Sequence, residues 1–524
     1  MRITPPKPTL IDKAIRYFNP VKAARRQKAR MALAISGGYT GAGGSRRSLK
    51  QWNPLAYDAD TDILTDLPTL RARSRDMIRN TPLAAGAINT KVTNVVGTGF
   101  RLQARIDRAT LGLSDPEADA LEANIEREWN LFWDHKDLDA ARTLNGDAMT
   151  SLVYRQTKEN GDVFILLPRI KRKNRPYALS LQVIEADRVL NPKYAPDSNT
   201  LAGGISKDKY GAPTKYHIAT PHPGATTYTA ARKFQSVPAF GSRLGLRNIL
   251  HLYHPTRPGQ SRGVPDLAPV IEPLKQLSRY TDAELMAAVI SGMFTVFVES
   301  ESGDPTFDLT DMSDETGSTT SDDDYKMGNG SIIGLAPGES IHDSNPGRPN
   351  DSFDPFTQAI LRQIGTALEL PFEILVKHFT ASYSAARAAL LEAWKYFMTQ
   401  RKWLADNFHR QIYEIWMTEA VALGRITAPG FLTDPARRQA YLGAQWVGPA
   451  KGQIDELKEI KAAHERVNMG VSTLSEVTAE MTGGDWEKKH PQSVKEFTAR
   501  KDAGLIVEQK PPGPENGAPK NENI

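Results

Sequence analysis

The chain has 524 residues, of which 40% are hydrophobic and 24% are charged, and it contains no cysteine. This length predicts about three or four domains, and the hydrophobic share is well above that of a disordered chain. The lack of cysteine excludes a disulfide scaffold, thiolate zinc sites, iron–sulfur clusters and cysteine nucleophiles. Apolar stretches are too short and interrupted to cross a bilayer, and the N-terminus has no apolar signal core. We therefore expect a soluble protein, made inside the cell, with no membrane partner.

Charge is distributed unevenly along the chain. Residues 1–50 carry twelve Lys and Arg against a single acid, a sum of +11, while the other 474 residues carry 54 basic and 60 acidic side chains, a sum of −6. The densest basic cluster consists of Lys22, Arg25, Arg26, Lys28 and Arg30. This basic, Gly-rich arm is suited to neutralising phosphates of nucleic acid or to contacting a protein partner. A solvated, flexible terminus with no fixed partner explains the same composition.

Helical patterns dominate the segment after the arm, and strand patterns follow them. Ser114 and Glu117 form a capping box before an apolar stripe with helical spacing. Helices are predicted over residues 70–78, 83–96, 114–132 and 147–159. Strands are predicted over residues 163–167, 179–184, 215–219 and 248–253. The chain therefore holds a β-rich insertion between helical regions.

The second half of the chain returns to helix. A helix is predicted over residues 266–291, a strand over 293–298, a mobile acidic loop over 300–330, and helices over 354–370, 382–422, 454–467, 473–481 and 485–503. The helix over 382–422 has one apolar face, interrupted once by Arg401. At about 1.5 Å per residue it forms a rod of roughly 60 Å. The last residues, 510–524, have the composition of a disordered tail.

Catalytic signatures are missing. The sequence has no G-x-x-x-x-G-K-[ST] loop for a nucleotide, no H-E-x-x-H and no G-x-S-x-G motif. His251 and His254 lie in a strand-like run, where alternate side chains face opposite ways, so we interpret them as structural. We predict no catalytic, cofactor-binding or metal-binding residue and no enzymatic activity. A large chain with this little chemistry is typical of a structural or assembly component.

Several motifs follow one another in order over about residues 65–500: Arg79-Asn80-Thr81-Pro82, Val95-Val96-Gly97-Thr98-Gly99, His254-Pro255 with Arg262-Gly263-Val264-Pro265, Leu370-Pro371-Phe372-Glu373-Ile374-Leu375, Tyr383-Ser384-Ala385-Ala386-Arg387, and Trp446 with Gly448-Pro449. In these motifs the chain resembles the lambda-type portal proteins of tailed bacteriophages. The resemblance implies an α+β, mainly α-helical portal fold with wing, stem, clip and crown regions and a β-rich insertion. It also implies that the chain is one subunit of a homo-oligomeric ring, usually a dodecamer, at one vertex of the capsid.

The same resemblance implies a function and a set of partners. Double-stranded DNA passes through the ring channel during packaging and ejection, while the terminase large subunit and then head–tail completion proteins dock on its outer end. Major capsid or scaffold protein surrounds the ring, which is assembled in the host cytoplasm and stays in the virion. A net negative body repeated around a channel fits this role, because a wall that bound phosphates strongly would stall the DNA.

The resemblance also suggests a division of the chain. We expect a basic arm over residues 1–60, a helical wing region with the β-rich segment over 61–265, and a stem helix with a clip or wing candidate over 266–345. Wing and tunnel helices follow over 346–424, then a helical crown over 425–505 and a tail over 506–524. The clip is assigned to either residues 165–260 or residues 293–345.

One loop is a candidate for contact with the DNA. It precedes the long helix and consists of Val376, Lys377, His378, Phe379, Thr380, Ala381 and Ser382. An ordinary interhelical loop is the alternative interpretation.

Two other functions stay open for the whole chain: a DNA-binding scaffold or minor capsid protein that acts through the arm, and an enzyme of the packaging machinery. The missing nucleotide loop argues against an ATPase.

Overall fold

A computed structural model describes residues 9–35, 47–226, 232–292, 296–300, 339–343, 352–379, 382–452 and 455–505. The chain forms two units, Met1–Asp58 and Ala59–Ile524. The acidic loop predicted over 300–330 lies, apart from Ser300, outside the described residues, as does the predicted tail over 510–524.

Within its described residues, the first unit contains the helices α1 (Leu10–Phe18) and α2 (Pro20–Ile35). Thr9 and Asp12 form a capping box at the start of α1, and the Asn19 side chain accepts a hydrogen bond from the Lys22 amide at 3.0 Å. These caps satisfy amides that the first turn leaves without partners. The charge pattern alone did not predict helices here.

The second unit begins with a helical region, and its capping box at Ser114 and Glu117 is present as predicted. The elements are α3 (Ala59–Leu64), α4 (Leu67–Asn80), α5 (Pro82–Val95), β1 (Arg101–Ala104), α6 (Arg108–Leu111), α7 (Asp115–Trp133) and α8 (Gly146–Asn160). Pro82 begins α5 at a position where a missing amide hydrogen costs nothing.

A β-rich region follows, with antiparallel pairing throughout its sheets. Its strands are β2 (Asp162–Leu166), β3 (Gln182–Ile184), β4 (Leu201–Ala202), β5 (Ile205–Lys207), β6 (Pro213–Thr220), β7 (Lys233–Pro238) and β8 (Ile249–Tyr253). One sheet has the order β3-β2-β8 and the other β4-β5-β6-β7. The strand predicted over 179–184 is shorter than expected, because Leu179 and Leu181 form isolated bridges with Arg169 and Asp139 instead of extending β3.

The helical rod predicted over 382–422 is present, but it is divided by a short π-helical segment, Ala405–His409. The elements around it are α9 (Ile271–Gly292), the antiparallel strands β9 (Val296–Ser300) and β10 (Glu339–Asp343), α10 (Phe353–Ala367), α11 (Phe372–Leu375), α12 (Tyr383–Leu404) and α13 (Arg410–Ala422). A π segment contains one residue more than the α-helical turn it replaces, so it shifts the faces of α12 relative to α13.

The C-terminal part packs back on the helical region. It contains α14 (Pro435–Tyr441), β11 (Ala444–Val447), α15 (Glu456–Asn468), α16 (Leu474–Thr482) and α17 (Trp486–Asp502). Strand β11 pairs antiparallel with β1, more than three hundred residues earlier, with Arg101 opposite Val447. This pairing connects the C-terminal part to the helical region in the first half of the second unit.

The main core joins α7 to α13 through large aromatic side chains. Its most buried members include Trp129, Phe132, Phe408, Tyr413 and Trp416, and the rings of Trp129 and Trp416 meet edge to face at 5.1 Å. A smaller cluster around Phe164 and Tyr216 fills the β-rich region. The expected α+β class, mainly helical with a β-rich insertion, is confirmed. The core holds α13 and also includes Ala393, Phe397 and Leu404 of α12, the helix that follows the candidate DNA loop.

Candidate functional site

The segment before the candidate loop is anchored in the core. Leu370, Ile374 and Leu375 are buried, and the Leu370 amide donates to the Gly365 carbonyl at 2.9 Å. A Cβ on Gly365 would lie 2.5 Å from the Leu370 carbonyl oxygen, so the turn between α10 and α11 needs a glycine there. The Leu370–Leu375 motif therefore serves as the base on which the loop is built.

The candidate loop leaves this base with one packed residue followed by three exposed residues. Val376 packs against the core, whereas Lys377, His378 and Phe379 are exposed. Lys377 has a left-handed backbone, with φ 55°, and the His378 amide donates to the Glu373 carbonyl at 3.1 Å. The left-handed backbone of Lys377 and the hydrogen bond of His378 together turn the chain away from α11.

The end of the loop is also fixed. The Ser382 hydroxyl oxygen accepts a hydrogen bond from the Ala385 amide at 3.4 Å and so caps α12. Thr380 and Ala381 lie outside the described residues. Within the described part, the loop presents a cation, an imidazole and an aromatic ring to solvent from two anchored ends.

A groove of about 430 Å³ lies beside the loop, and we call it the α12 groove. Its walls come from α5, the loop, α12 and the segment near Lys451. The apolar wall residues include Ile374, Phe379, Leu390, Leu391, Trp394 and Phe397. Three cations, Lys377, Arg387 and Lys451, also line it, together with one acid, Glu459. Of this set, only Lys377 and Phe379 belong to the loop that the sequence predicts to contact DNA, since the others come together through tertiary packing.

Arg401, the interruption in the apolar face of the rod, is a buried structural anchor. Its guanidinium donates to the carbonyls of Asn94 at 2.6 Å and Pro449 at 2.7 Å, and it lies 4.4 Å from the centre of the Trp394 ring. Burial lowers the pKa of Arg401 to about 10. The side chain joins α12 to α5 and to the segment that closes the α12 groove. In the sequence, the signal for this anchoring role was a lone cation among aromatic residues on an apolar helix face.

A buried ionic cluster centres on Asp162 in β2. Its carboxylate lies 2.6 Å from the Arg71 Nη2, 2.5 Å from the Arg262 Nε and 3.1 Å from the His251 Nε2. Burial by itself would raise the pKa of Asp162, but Arg262 and Arg71 hold it well below its usual range. His251 is therefore structural, as the strand pattern indicated. The cluster ties α4 to the β-rich region and to the Arg262-Gly263-Val264-Pro265 motif.

A second buried network holds the start of α9. Asp266 lies 2.8 Å from the Lys91 Nζ and 3.5 Å from the Lys158 Nζ, which connects the predicted stem helix to α5 and α8. His254 stacks on Trp403 with ring centres 3.8 Å apart, and burial lowers the pKa of His254 to about 4. His254 is thus a neutral packing residue.

Among the described residues, Glu185, Asp187 and His222 offer three potential metal-ligand atoms within 4.8 Å of one another. Arg75 already approaches both carboxylates, with its Nη1 2.5 Å from Asp187 and its Nη2 3.5 Å from Glu185. The arrangement is that of an ion-pair cluster between α4 and the β-rich region.

No helix in the described part of the chain is long and apolar enough to span a membrane.

The basic arm residues lie together on α2. Lys22, Arg25, Arg26 and Lys28 are exposed, and Arg30 belongs to the same helix. The Arg26 Nε lies 3.0 Å from the Asp12 carboxylate, so one of these cations already has an acidic neighbour. The charges project from a helix, which spaces them more regularly than a coil would.

Comparison with known proteins gives a consistent result. Residues 45–401 match the family model described as phage portal protein, lambda family. The portal protein of Escherichia phage N15 is 27% identical over 491 residues, covering 90% of this chain and 91% of that protein. Portal protein B of Escherichia phage lambda is 28% identical over 504 residues, covering 91% of each.

Solved structures give weaker similarities. One match is the virion of a native gene transfer agent particle, with a TM-score of 0.40 and 13% identity, covering 79% of this chain and 92% of that one. A second is the neck of that particle computed with C12 symmetry, with a TM-score of 0.38 and 14% identity, covering 79% and 98%. The family match spans more than half of the sequence and includes the candidate loop. The chain belongs to the lambda family of phage portal proteins.

Proposed function

We propose that this chain is the subunit of a ring-shaped portal through which double-stranded DNA enters and leaves a phage capsid. The observation that carries the proposal is the family match over residues 45–401, which includes α9, α10, the candidate loop and most of α12. A ring of about twelve copies closes through repeated heterologous contacts. The portal resides in the virion and is assembled in the host cytoplasm.

The candidate loop is proposed to be the part of the channel nearest the DNA. It is supported by the exposure of Lys377, His378 and Phe379 between two anchored ends. A few exposed charges on a body with a net charge of −6 allow transient phosphate contacts without a continuous grip. In this arrangement α9 is the stem helix, the wing and crown follow the boundaries expected from the sequence, and the clip lies within residues 165–260 or residues 293–345.

The ring is proposed to dock the terminase large subunit and later the head–tail completion proteins, and to contact major capsid or scaffold protein. The basic face of α2 is a candidate for contact with DNA or with an acidic partner. The role is proposed to be structural, without catalysis. What supports this is the absence of a nucleotide-binding loop from the sequence.

Negative-stain electron microscopy with native mass spectrometry tests the proposal. We expect rings with a central hole and a mass near about twelve subunits of 57.8 kDa. A closed, low-order oligomer without a channel would contradict the portal function. Robust ATP hydrolysis by the purified chain would contradict the non-enzymatic role. Deletion of residues 1–50 should leave the rings intact, whereas a scaffold acting through the arm would lose function and DNA binding together.

A further inference from the structure

Two connecting segments of the second unit carry a concentration of basic side chains. One comprises residues 134–142 and follows α7, and the other comprises residues 168–176 and follows β2. Together they hold seven Lys and Arg residues against three Asp residues, whereas the chain after residue 50 has a net charge of −6. A basic surface on an otherwise acidic body is the electrostatic signature of contact with a polyanion.

Two inward-facing arginines join these segments. Arg172 donates to the carbonyl of Asp137 at 3.1 Å and to that of Ala140 at 2.9 Å, and Arg175 donates to the Asp137 carbonyl at 3.0 Å. The Arg175 guanidinium also lies 5.2 Å from the centre of the Phe132 ring. These contacts hold the second segment against the first, so the exposed cations of both belong to one surface.

The lysines on either side of Arg172 face solvent. Lys171 and Lys173 are exposed, whereas the Arg172 side chain between them is only 6% exposed. Lys136 and Arg142 are exposed on the other segment. The surface that we call the Lys171 patch consists of Lys136, Arg142, Lys171 and Lys173.

The carboxylates of the first segment are already engaged. Asp137 lies 3.1 Å from the Arg172 Nη1 and 3.2 Å from the Arg142 Nε, so one carboxylate faces two guanidinium groups. Asp139 is buried and accepts hydrogen bonds from the amide and the hydroxyl of Thr143. In the part of the chain that the structure describes, the three lysines of the Lys171 patch form no ion pair.

The remaining acids near the two segments leave the balance positive. Asp134 lines a cavity together with Asp147. Glu419 reaches the second segment from α13, pairs with Arg169 at 3.2 Å and accepts a hydrogen bond from the Ala178 amide. When Glu419 is counted with the two segments, seven cations face four acids. Because like charges held together repel one another, this surplus favours an external polyanion.

We propose that the Lys171 patch binds the phosphate backbone of duplex DNA without regard to base sequence. Its lysines are exposed point charges on an anchored scaffold, and phosphate contacts of this kind supply essentially all of the sequence-independent affinity for DNA. The choice of DNA as the polyanion rests on the proposed function, since a portal handles double-stranded DNA. A few such contacts give a weak, salt-sensitive hold that still lets the duplex move.

An acidic protein and single-stranded DNA fit this surface less well. Protein interfaces centre on large apolar or aromatic side chains, and single strands stack on exposed aromatic rings. Residues 134–142 and 168–176 contain no Phe, Tyr or Trp, and their large apolar side chains are those of Leu138, which is buried, and Ile170, which is half-buried. The Lys171 patch therefore presents mainly charge.

Lysine footprinting of the unmodified full-length chain is the direct test. Amine acetylation, located by mass spectrometry, is followed with and without a short duplex of mixed sequence. We expect Lys171 and Lys173 to react at least about fivefold more slowly with the duplex bound, because a phosphate contact covers the amine. Lys461 and Lys495, which are exposed on α15 and α17, should react equally in both conditions.

Charge removal provides the second test. The triple variant K136Q/K171Q/K173Q should bind the duplex at least about tenfold more weakly at low salt. The slope of the logarithm of the binding constant against the logarithm of the salt concentration should become shallower by about 2 to 3, because each lost phosphate contact removes roughly 0.9. Circular dichroism and native mass spectrometry establish that the variant folds and assembles as the unmodified chain does.

A matched control, K209Q/K461Q/K495Q, removes three exposed lysines from three different elements of the second unit. It changes the net charge by the same amount and leaves the Lys171 patch intact, so its salt slope should equal that of the unmodified chain. Both triple variants keep the basic arm, whose contribution to DNA binding is therefore the same in each comparison.

The outcomes separate this inference from the portal function. Rings in which the patch lysines react equally with and without the duplex, and a patch variant with an unchanged salt slope, would overturn the inference and leave the ring in place. Stronger protection by polyglutamate or by single-stranded DNA than by the duplex would also overturn it. Protection by the duplex in a chain that forms no ring would support the contact and overturn the portal function.

Discussion

The Lys91 Nζ lies 2.8 Å from the Asp266 Oδ2 in the interior of the second unit. Asp266 precedes the first residue of α9, Ile271, by five residues. Lys158 approaches the other oxygen of the same carboxylate at 3.5 Å. Burial would by itself raise the pKa of Asp266, but Lys158 and Lys91 hold it below its usual value. One carboxylate therefore compensates two buried ammonium groups and holds the segment that leads into α9.

Replacement of Asp266 by Asn leaves both lysines without a counter-charge. We expect Asp266→Asn to lower the free energy of unfolding by about 3 kcal/mol or more, because an unpaired buried charge is costly. The measurement is urea unfolding at neutral pH. Asp282→Asn on the exposed part of α9 is the control and should change stability by less than about 0.5 kcal/mol. Equal effects of the two variants would contradict the role of Asp266.

The Asp162 cluster predicts a specific acid sensitivity. Its folded-state pKa lies below the unfolded value of about 3.9, so ionised Asp162 stabilises the fold above about pH 4 and this contribution is lost as the pH falls further. We expect Asp162→Asn to be strongly destabilised at pH 7 and to show a flatter decline of stability below pH 4 than the unmodified chain. Unfolding free energies measured from pH 7 to pH 3 test this.

The control for that experiment is Asp119→Asn, since Asp119 is exposed on α7. This variant should retain the acid-induced loss of stability that the unmodified chain shows. If Asp162→Asn and the unmodified chain lose stability in parallel below pH 4, the cluster does not contribute in the way described.

Arg401 provides a test of how α12 is attached. Arg401→Met keeps the apolar stem but loses two hydrogen bonds to carbonyls and the contact with Trp394, so we expect a loss of about 2–4 kcal/mol in unfolding free energy. Lys402→Met removes an exposed charge from the adjacent position and should cost less than about 0.5 kcal/mol. Thermal and urea unfolding measure both. A neutral effect of R401M would show that the anchor is dispensable.

The turn below the candidate loop depends on Gly365. Gly365→Ala should destabilise the protein by about 1–3 kcal/mol, because the added methyl group meets the Leu370 carbonyl oxygen at 2.5 Å. Gly86→Ala is the matched control within α5, where a Cβ meets nothing within 4 Å. This variant should be stabilised by up to about 1 kcal/mol. Differential scanning calorimetry distinguishes the expected loss of stability in G365A from the expected gain in G86A.

Local sequence signals predicted most of the helices because caps and periodicity act over a few residues. The Ser114–Glu117 box is present as predicted, and the helix predicted over 473–481 begins with a capping box formed by Thr473 and Glu476. The strand predicted over 179–184 was too long, because Leu179 and Leu181 take bridging partners from other parts of the chain. The helices of the arm were missed, since net charge carries no information about capping by Thr9 and Asn19.

The sequence by itself determined the family, the order of the helices and the position of the loop before α12, since each depends on motifs that are contiguous in the chain. Tertiary structure alone decided which residues surround that loop. Arg387, Lys451 and the α5 wall meet only after α12 has packed, and Arg401 becomes an anchor only because Asn94 and Pro449 present carbonyls to it. Contacts across such distances depend on packing geometry, and no local pattern encodes them.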